Sequence, residues 1–315
     1  ARMPFSRRQF LQHSGLAAAA AQSATAANDR IQVGVIGTGA RSHELMQALL
    51  SLPAAQIVGV SDAYTGRVAR ALERVGKSAK SYTSYKDVLA DKTIDAVVVA
   101  TPDHWHKTMV LEALAAGKDV YCEKPLTYRS PEGLEIIAAA NQTGRIVQVG
   151  SQGVSSLTQL KAKEIIRAGK LGRVTMIRAA YNRNTASGAW IYPIPPDASP
   201  KTVNWDAFLG SAPKRPFNLE RFFRWRCYED YSGGIASDLF VHRVTRIIKS
   251  LGLTFPERVV ATGGKFQFGN SKADIPDTFN MLVDYPEGVT IQLVSSMAND
   301  TPVTHLLRGH RATLE

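Results

Sequence analysis

The sequence predicts an α/β protein: a doubly wound parallel sheet, then an α+β domain whose large, mostly antiparallel sheet has an open face. Three observations carry this. From Ile31 to Gln152, short β-branched apolar runs alternate with amphipathic helical segments. The first run leads into a Gly-x-Gly turn at Gly37–Gly39. After Gln152, strand patterns dominate around a few helices.

Residues 1–28 are set apart. Ser6-Arg7-Arg8-Gln9-Phe10-Leu11, an alanine-rich stretch and Ala24-Thr25-Ala26 follow in that order. They outline a twin-arginine export signal with an A-x-A-like cleavage site. The expectation is a chain exported in folded form, to the periplasm or beyond the cell. The chain begins at Ala1 and stops inside a strand–turn–strand pattern over Leu306–Glu315, which reads as a fragment of a longer protein.

Residues 29–152 form the first predicted domain. Strands are expected at Ile31–Ile36, Gln56–Val60, Ala96–Thr101, Asp119–Cys122 and Ile146–Val149. Helices are expected at Glu44–Leu52, Gly66–Val75, Lys107–Ala116 and Pro131–Asn141, the last with Ser130 as N-cap. Such alternation predicts a parallel sheet covered on both faces.

Residues 153–315 form the second. A helix over Leu157–Ala168 stops at Gly169, and a long strand follows at Val174–Tyr181. The stretch Trp190–Cys227 is dense in Pro, aromatic and Arg residues and reads as a long functional loop. A helix is expected from near Gly234 to Ser250. Strands at Val259–Phe268, Phe279–Tyr285 and Val289–Ser296 complete the sheet, with Pro286-Glu287-Gly288 as a turn.

The 315 residues are 44% hydrophobic and 21% charged, the balance of a globular rather than a disordered chain. No apolar run reaches the roughly 18 residues of a membrane span, so no stable insertion of the mature chain is expected. The formal charge is +11, of which +3 falls in residues 1–28. The remaining Lys and Arg are scattered rather than gathered in a stripe. That argues against nucleic acid and for a surface that accepts an anionic cofactor. Cys122 and Cys227 have no CxxC or metal-type spacing, and nothing positions them for a disulfide.

The loop Gly37-Thr38-Gly39-Ala40-Arg41-Ser42 joins a strand to a helix. Gly37 permits the tight turn, and Gly39 lets backbone approach a pyrophosphate at the helix N-terminus. Ser42 stands where the fingerprint has its third Gly. Asp62 ends the second strand, 23 residues after Gly39, where an acid accepts hydrogen bonds from ribose hydroxyls. The cofactor expected is therefore NAD or NADP on a Rossmann domain. Asp62 favours NAD, and nearby Arg67 keeps NADP open.

From Ile31 to Glu315 the chain resembles the glucose–fructose oxidoreductase and inositol dehydrogenase family, Gfo/Idh/MocA. The resemblance rests on the Gly37–Ser42 loop; Ala100-Thr101-Pro102-Asp103-His104-Trp105-His106; Gly117-Lys118-Asp119-Val120-Tyr121-Cys122-Glu123-Lys124-Pro125; and Gly233-Gly234 followed by Asp238 and His242. It implies an active site in a cleft between the domains, lined by Lys124 of Glu-Lys-Pro and by Asp238 and His242. The family often has an acid closer to that His in the same helix. Here Asp238 precedes it by four residues and Thr245 follows. The family's open sheet face often pairs subunits, so a homo-oligomer is expected by analogy.

Oxidising a secondary alcohol needs a hydride acceptor and a base. His242 suits the base, Asp238 one helical turn away would orient it or hold a substrate hydroxyl, and Lys124 at a strand's carboxyl end would polarise the reacting oxygen. Thr101 and Pro102 would face the dinucleotide, and His106, opening the next helix, would join them on the cofactor side. Glu123 and Gln152 join the cofactor side. Ala40 and Arg41, in the loop before the helix, would face the phosphates. Phe223-Arg224-Trp225-Arg226 would clamp a ligand or pack the loop on the sheet. A metal site built on Asp238, His242, His104 and His106 lacks a third ligand of suitable spacing. The expected function is hydride transfer between nicotinamide and a sugar, polyol or sugar derivative. Two alternatives stay open: a glycosidase using retained NAD for transient oxidation, and a non-catalytic nucleotide-binding protein.

Overall fold

The computed structural model describes residues 30–315 except Lys77 and Ser187. The export signal expected over residues 1–28 lies outside the described residues. No helix among the described residues is long and apolar enough to cross a membrane.

The first sheet has six parallel strands: β1 (Ile31–Ile36), β2 (Ala55–Ser61), β3 (Lys80–Tyr82), β4 (Ala96–Val99), β5 (Asp119–Glu123) and β6 (Val147–Gly150). Their order is β3-β2-β1-β4-β5-β6. Helices α1 (Ala40–Leu50), α2 (Thr65–Val75), α3 (Tyr85–Ala90), α4 (Asp103–Ala115) and α5 (Glu132–Thr143) connect them. Val33 and Val35 enter one core with Met46 and Ile57, while Ile36 enters the other with Val97, Val110 and Leu114. Burial on both faces is why these strands read as apolar runs rather than alternating patterns. Strand order reverses between β1 and β4, which opens a crevice at the carboxyl ends of the strands.

Two boundaries were expected later than they fall. Helices α1 and α4 begin directly after the strand turns, capped by Gly39 and Pro102. Ser130 does not cap α5: Pro131 holds that position, and the Glu132 carboxylate accepts from the Tyr128 and Arg129 N–H groups instead. β3 and α3 were not foreseen, being too short to display a period.

The second sheet runs β12-β11-β7-β10-β9-β8. Its strands are β7 (Val174–Ala180), β8 (Arg258–Gly264), β9 (Thr278–Tyr285), β10 (Val289–Ser296), β11 (Leu306–Gly309) and β12 (Thr313–Leu314). β7 and β10 pair in parallel, and the other pairings are antiparallel. Val289, Ile291 and Leu293 of β10 face a core that also buries Phe222, Phe240 and Tyr231. Met176, Val260 and Leu282 stay exposed, all on the opposite face by strand register. Helix α6 (Leu157–Arg167) is capped by Ser156.

The stretch Trp190–Cys227 is less irregular than expected. Asn204 and Asn218 cap two short helices, α7 (Trp205–Leu209) and α8 (Leu219–Phe223), and a 3₁₀ turn covers Trp225–Cys227. Part of this stretch crosses back onto the first domain. The Asn204 N–H donates to Ala63 O at 2.7 Å, and the Thr65 N–H to Thr202 O at 3.0 Å. The Tyr64 hydroxyl donates to the Asp197 carboxylate at 2.6 Å. The helix expected from Gly234 to Ser250 divides into a π-helical turn, Ala236–Phe240, and α9 (Val241–Leu251). Cys122 and Cys227 are buried and free.

Candidate functional site

A cleft of about 1200 Å³ lies between the domains, lined from Gly37 and Asp62 at one end to Lys124, Asp238 and His242 at the other. Ordinary small-ligand pockets measure about 300–1,000 Å³, so there is room for a large ligand and a smaller one together.

The glycine loop is shaped by its two glycines. Gly37 has φ +82°, and a Cβ there would lie 2.7 Å from Ala100 O. Gly39 differs: a Cβ would meet nothing nearer than Arg67, at 3.9 Å, so the space above it is open. Thr38 is buried, and its N–H donates to Asp62 Oδ2 at 2.7 Å. Asp62 therefore fastens the loop to β2. It also accepts from the Tyr64 N–H at 2.9 Å and lies 3.8 Å from Arg67. Ala40 and Arg41 open α1, whose first N–H groups have no intrahelical acceptor. Ser42 packs fully buried in the third glycine's place, its hydroxyl without a partner among the described residues.

Arg41, Glu123 and Gln152 act together. Arg41 Nε donates to Glu123 Oε1 at 2.8 Å. With its amide oxygen turned toward Arg41, Gln152 accepts from both terminal guanidinium nitrogens at 3.1 and 3.2 Å. Burial works against the Arg41 charge, but Glu123 and Glu44 outweigh it and raise its pKa. Thr101 and Pro102 line the cleft. His106 does not: it sits beneath the cleft, inside the first turn of α4. Its Nδ1 is 2.6 Å from Pro125 O and its Nε2 2.9 Å from Thr101 O, so the ring sits between the two cleft-lining loops and, when neutral, donates to one of these carbonyls. His104 is likewise buried, with Nε2 3.0 Å from Phe208 O.

At the far end, Lys124 Nζ donates to Asp238 Oδ1 at 2.7 Å and to the Asp238 carbonyl at 2.9 Å. Arg226 Nε donates to the same Oδ1 at 3.2 Å, and Trp190 Nε1 to Oδ2 at 3.1 Å. Burial alone would raise the Asp238 pKa, but Arg226 and Lys124 overcome it and hold it at about 2. Asp238 is thus committed to these three donors and makes no hydrogen bond to His242, contrary to the orienting role expected from the four-residue spacing. The π-helical turn separates the two from a regular helical register. His242 lies instead against Tyr181, ring centroids 5.8 Å apart. Burial, then the Lys124 ammonium, press its pKa down to about 4. The imidazole is neutral at pH 7 and able to accept a proton.

Sequence reasoning missed several residues. Trp190 is buried with φ +61°, a conformation that costs a non-glycine residue energy and recurs at functional positions. It opens the stretch read as a functional loop, but nothing in the sequence singled it out there. Arg226 sat in the flagged Phe223–Arg226 cluster. Phe223 and Trp225 are buried yet line the cleft, and Arg226 stacks 4.1 Å from the Trp225 ring centroid while reaching Asp238. Asp103 was passed over within the Thr-Pro motif. It is buried with one carboxylate oxygen unpartnered, and burial, then the nearby Asp238 charge, raise its pKa to about 7.

Comparison with known proteins agrees with this geometry. Residues 31–151 match the oxidoreductase family with an NAD-binding Rossmann fold, and residues 210–315 match the GFO/IDH/MocA C-terminal domain. Inositol 2-dehydrogenase 1 of Saccharopolyspora erythraea is 32% identical over 158 residues, 50% of this chain and 47% of the relative. The chain spans about half the length of the curated relatives it matches. Among solved structures, myo-inositol 2-dehydrogenase from Lactobacillus plantarum superposes with a TM-score of 0.72 at 20% identity, covering 90% of this chain and 76% of that one. The WlbA dehydrogenase from Bordetella pertussis, solved with NADH and UDP-GlcNAcA, gives 0.71 at 21% identity, covering 90% and 78%.

Proposed function

Since the chain belongs to the Gfo/Idh/MocA oxidoreductase family, we propose that it transfers a hydride between a secondary alcohol of a sugar, polyol or sugar derivative and a nicotinamide dinucleotide. The observation that carries this reading is one continuous cleft joining the glycine loop to Lys124 and His242. The open space above Gly39 and the free N–H groups of α1 fit a pyrophosphate. The acid at Asp62 suits ribose hydroxyls and favours NAD over NADP.

When bound, the dinucleotide supplies the hydride acceptor. His242 takes the substrate's hydroxyl proton at a ring nitrogen. Lys124 donates an N–H to the same oxygen and stabilises its developing negative charge. Asp238 holds Lys124 in place, and Trp190 and Arg226 hold Asp238. Arg41, Glu123 and Gln152 form a bonded group on the cofactor side of the cleft.

The test is anaerobic incubation of the NAD-loaded protein with a panel of cyclic polyols and sugars. Absorbance in the reduced-nicotinamide band is the expected result, and its absence across the panel rejects the reading. A second reading, a glycosidase with a retained cofactor, is favoured by the segment latched over the cleft at Tyr64. It predicts release of aryl alcohol from aryl glycosides with no added NAD.

We make two further proposals. The Arg7-Arg8 signal sends the folded chain out of the cytoplasm, checked by fractionating cells that express Arg7→Lys, Arg8→Lys. The exposed face at Met176, Val260 and Leu282 pairs copies of this chain, checked by light scattering.

A further inference from the structure

We propose that the substrate end of the cleft receives a negatively charged group, so that the sugar or polyol taken here carries a carboxylate or phosphate. The inference rests on the oxidoreductase reading and adds a substrate class to it.

Five cations line that end: Lys124, Arg183, Arg226, Arg243 and Arg246. The carboxylates there are Asp238 and the buried Asp103, while Glu123, next to Lys124, is taken up by Arg41. Asp238 is shared between Lys124 and Arg226, at 2.7 and 3.2 Å. Arg183, Arg243 and Arg246 have no carboxylate partner among the described residues. Arg183 and Arg243 lie on the Tyr181 ring, 5.5 and 4.9 Å from its centroid. That ring touches His242, so the unpaired charge sits beside the reacting centre.

Their hydrogen bonding leaves donors to spare. Arg243 Nε donates to Ala180 O at 2.9 Å. Arg246 Nη2 donates to Gln152 O at 3.2 Å, while its buried Nε has no acceptor. Burial, then the neighbouring Arg246, lower the Arg243 pKa, as expected of like charges gathered without a counter-ion.

The dinucleotide end is different. Arg41 is paired with Glu123 and Glu44, and Arg67 lies 3.8 Å from Asp62. Arg70 lines that end too, without a carboxylate partner among the described residues. The three arginines there nonetheless face three carboxylates, Glu44, Asp62 and Glu123, so the positive excess is greatest in the region left for substrate. A half-buried cluster of guanidinium groups favours carboxylate or phosphate by paired, charge-assisted hydrogen bonds.

The test uses NAD-loaded protein and calorimetric titration of sugar pairs differing only in charge: glucose against glucuronate, galactose against galacturonate, and glucose against glucose 6-phosphate. At least one anion should bind about tenfold or more tightly than its neutral partner, and raised salt should shrink that ratio. The uronate and phosphate arms identify which anion is preferred. In the Arg183→Gln, Arg243→Gln variant, folded as judged by unchanged melting and retained NAD, the ratio should fall toward one. Equal affinity within every pair, no binding of any anion, or an undiminished ratio in the variant overturns the inference. Reduced nicotinamide formed from a neutral sugar in that event would leave the oxidoreductase reading standing. Tight anion binding with no redox change on any sugar would overturn that reading instead.

Discussion

Lys124, which follows directly on β5, and Asp238, in the π-helical turn before α9, meet across the domain boundary at 2.7 Å. The contact fixes the proposed oxygen-polarising group of one domain against the proposed base of the other. Replacing each partner should have unequal effects. Asp238→Asn leaves both Lys124 and Arg226 without a carboxylate and should cost about 3–5 kcal/mol of stability. Lys124→Met leaves Asp238 paired with Arg226 and should cost less, while lowering kcat by about 10²–10³-fold. Urea unfolding and single-turnover reduction of bound NAD distinguish the two effects.

The pH profile should report His242. Its pKa is pressed to about 4, so the imidazole is neutral and competent at pH 7 and activity should fall only well on the acid side of the ordinary histidine value. Arg246 is among the charges that lower it. Arg246→Gln should move the acid limb of kcat/KM toward higher pH. A limb that stays in place would remove His242 from the role of base.

Asp103 gives a stability signature of its own. Its folded pKa, raised to about 7, exceeds the unfolded value of 3.8. The folded state binds the extra proton between these values, so Asp103 stabilises below about pH 4 and loses that contribution as pH rises through 7. Asp103→Asn should abolish this falling component. Melting temperatures from pH 4.5 to 8, compared between the two proteins, provide the check.

The two glycines of the loop should fail differently. Gly37→Ala places a Cβ 2.7 Å from Ala100 O at φ +82° and should cost about 1–3 kcal/mol. Gly39→Val sets its Cβ in open space at ordinary backbone angles, so its stability cost should be limited to the loss of a favoured N-cap residue, about 1 kcal/mol. Its added carbons would occupy the place proposed for pyrophosphate, weakening NAD by at least about tenfold in calorimetry.

Ser42 tests the third fingerprint position. Its buried hydroxyl has no acceptor, so Ser42→Ala should be neutral or stabilise by about 1 kcal/mol in urea titration.

The parts legible in the sequence were those with local signatures. A two-sided buried strand leading into Gly37 and Gly39, and an acid closing β2 at Asp62, needed no knowledge of distant contacts. Lys124, Asp238 and His242 were legible through the family resemblance, and they do line one cleft. What was hidden depends on long-range packing. Trp190 reaches Asp238 across 48 residues, and Arg226 is bound to the same carboxylate from another loop. His106 was placed in the cleft because its motif stands at a strand end. The rotation of α4 decides otherwise, turning the ring to Thr101 O and Pro125 O. The π-helical turn at Ala236–Phe240 carries no compositional mark, so the relation of Asp238 to His242 was read as that of a regular helix.

The latch of Asp197, Thr202 and Asn204 onto Ala63, Tyr64 and Thr65 also bears on how the molecule comes apart. A compound bound against both the Ala63–Thr65 turn and this segment is held by both halves, and its occupancy adds to their cohesion by mass action. Calorimetric melting of the filled protein should therefore give one concerted peak, dependent on nucleotide concentration. Tyr64→Phe, which removes the 2.6 Å bond to Asp197, should quicken nucleotide exchange and let the halves melt separately.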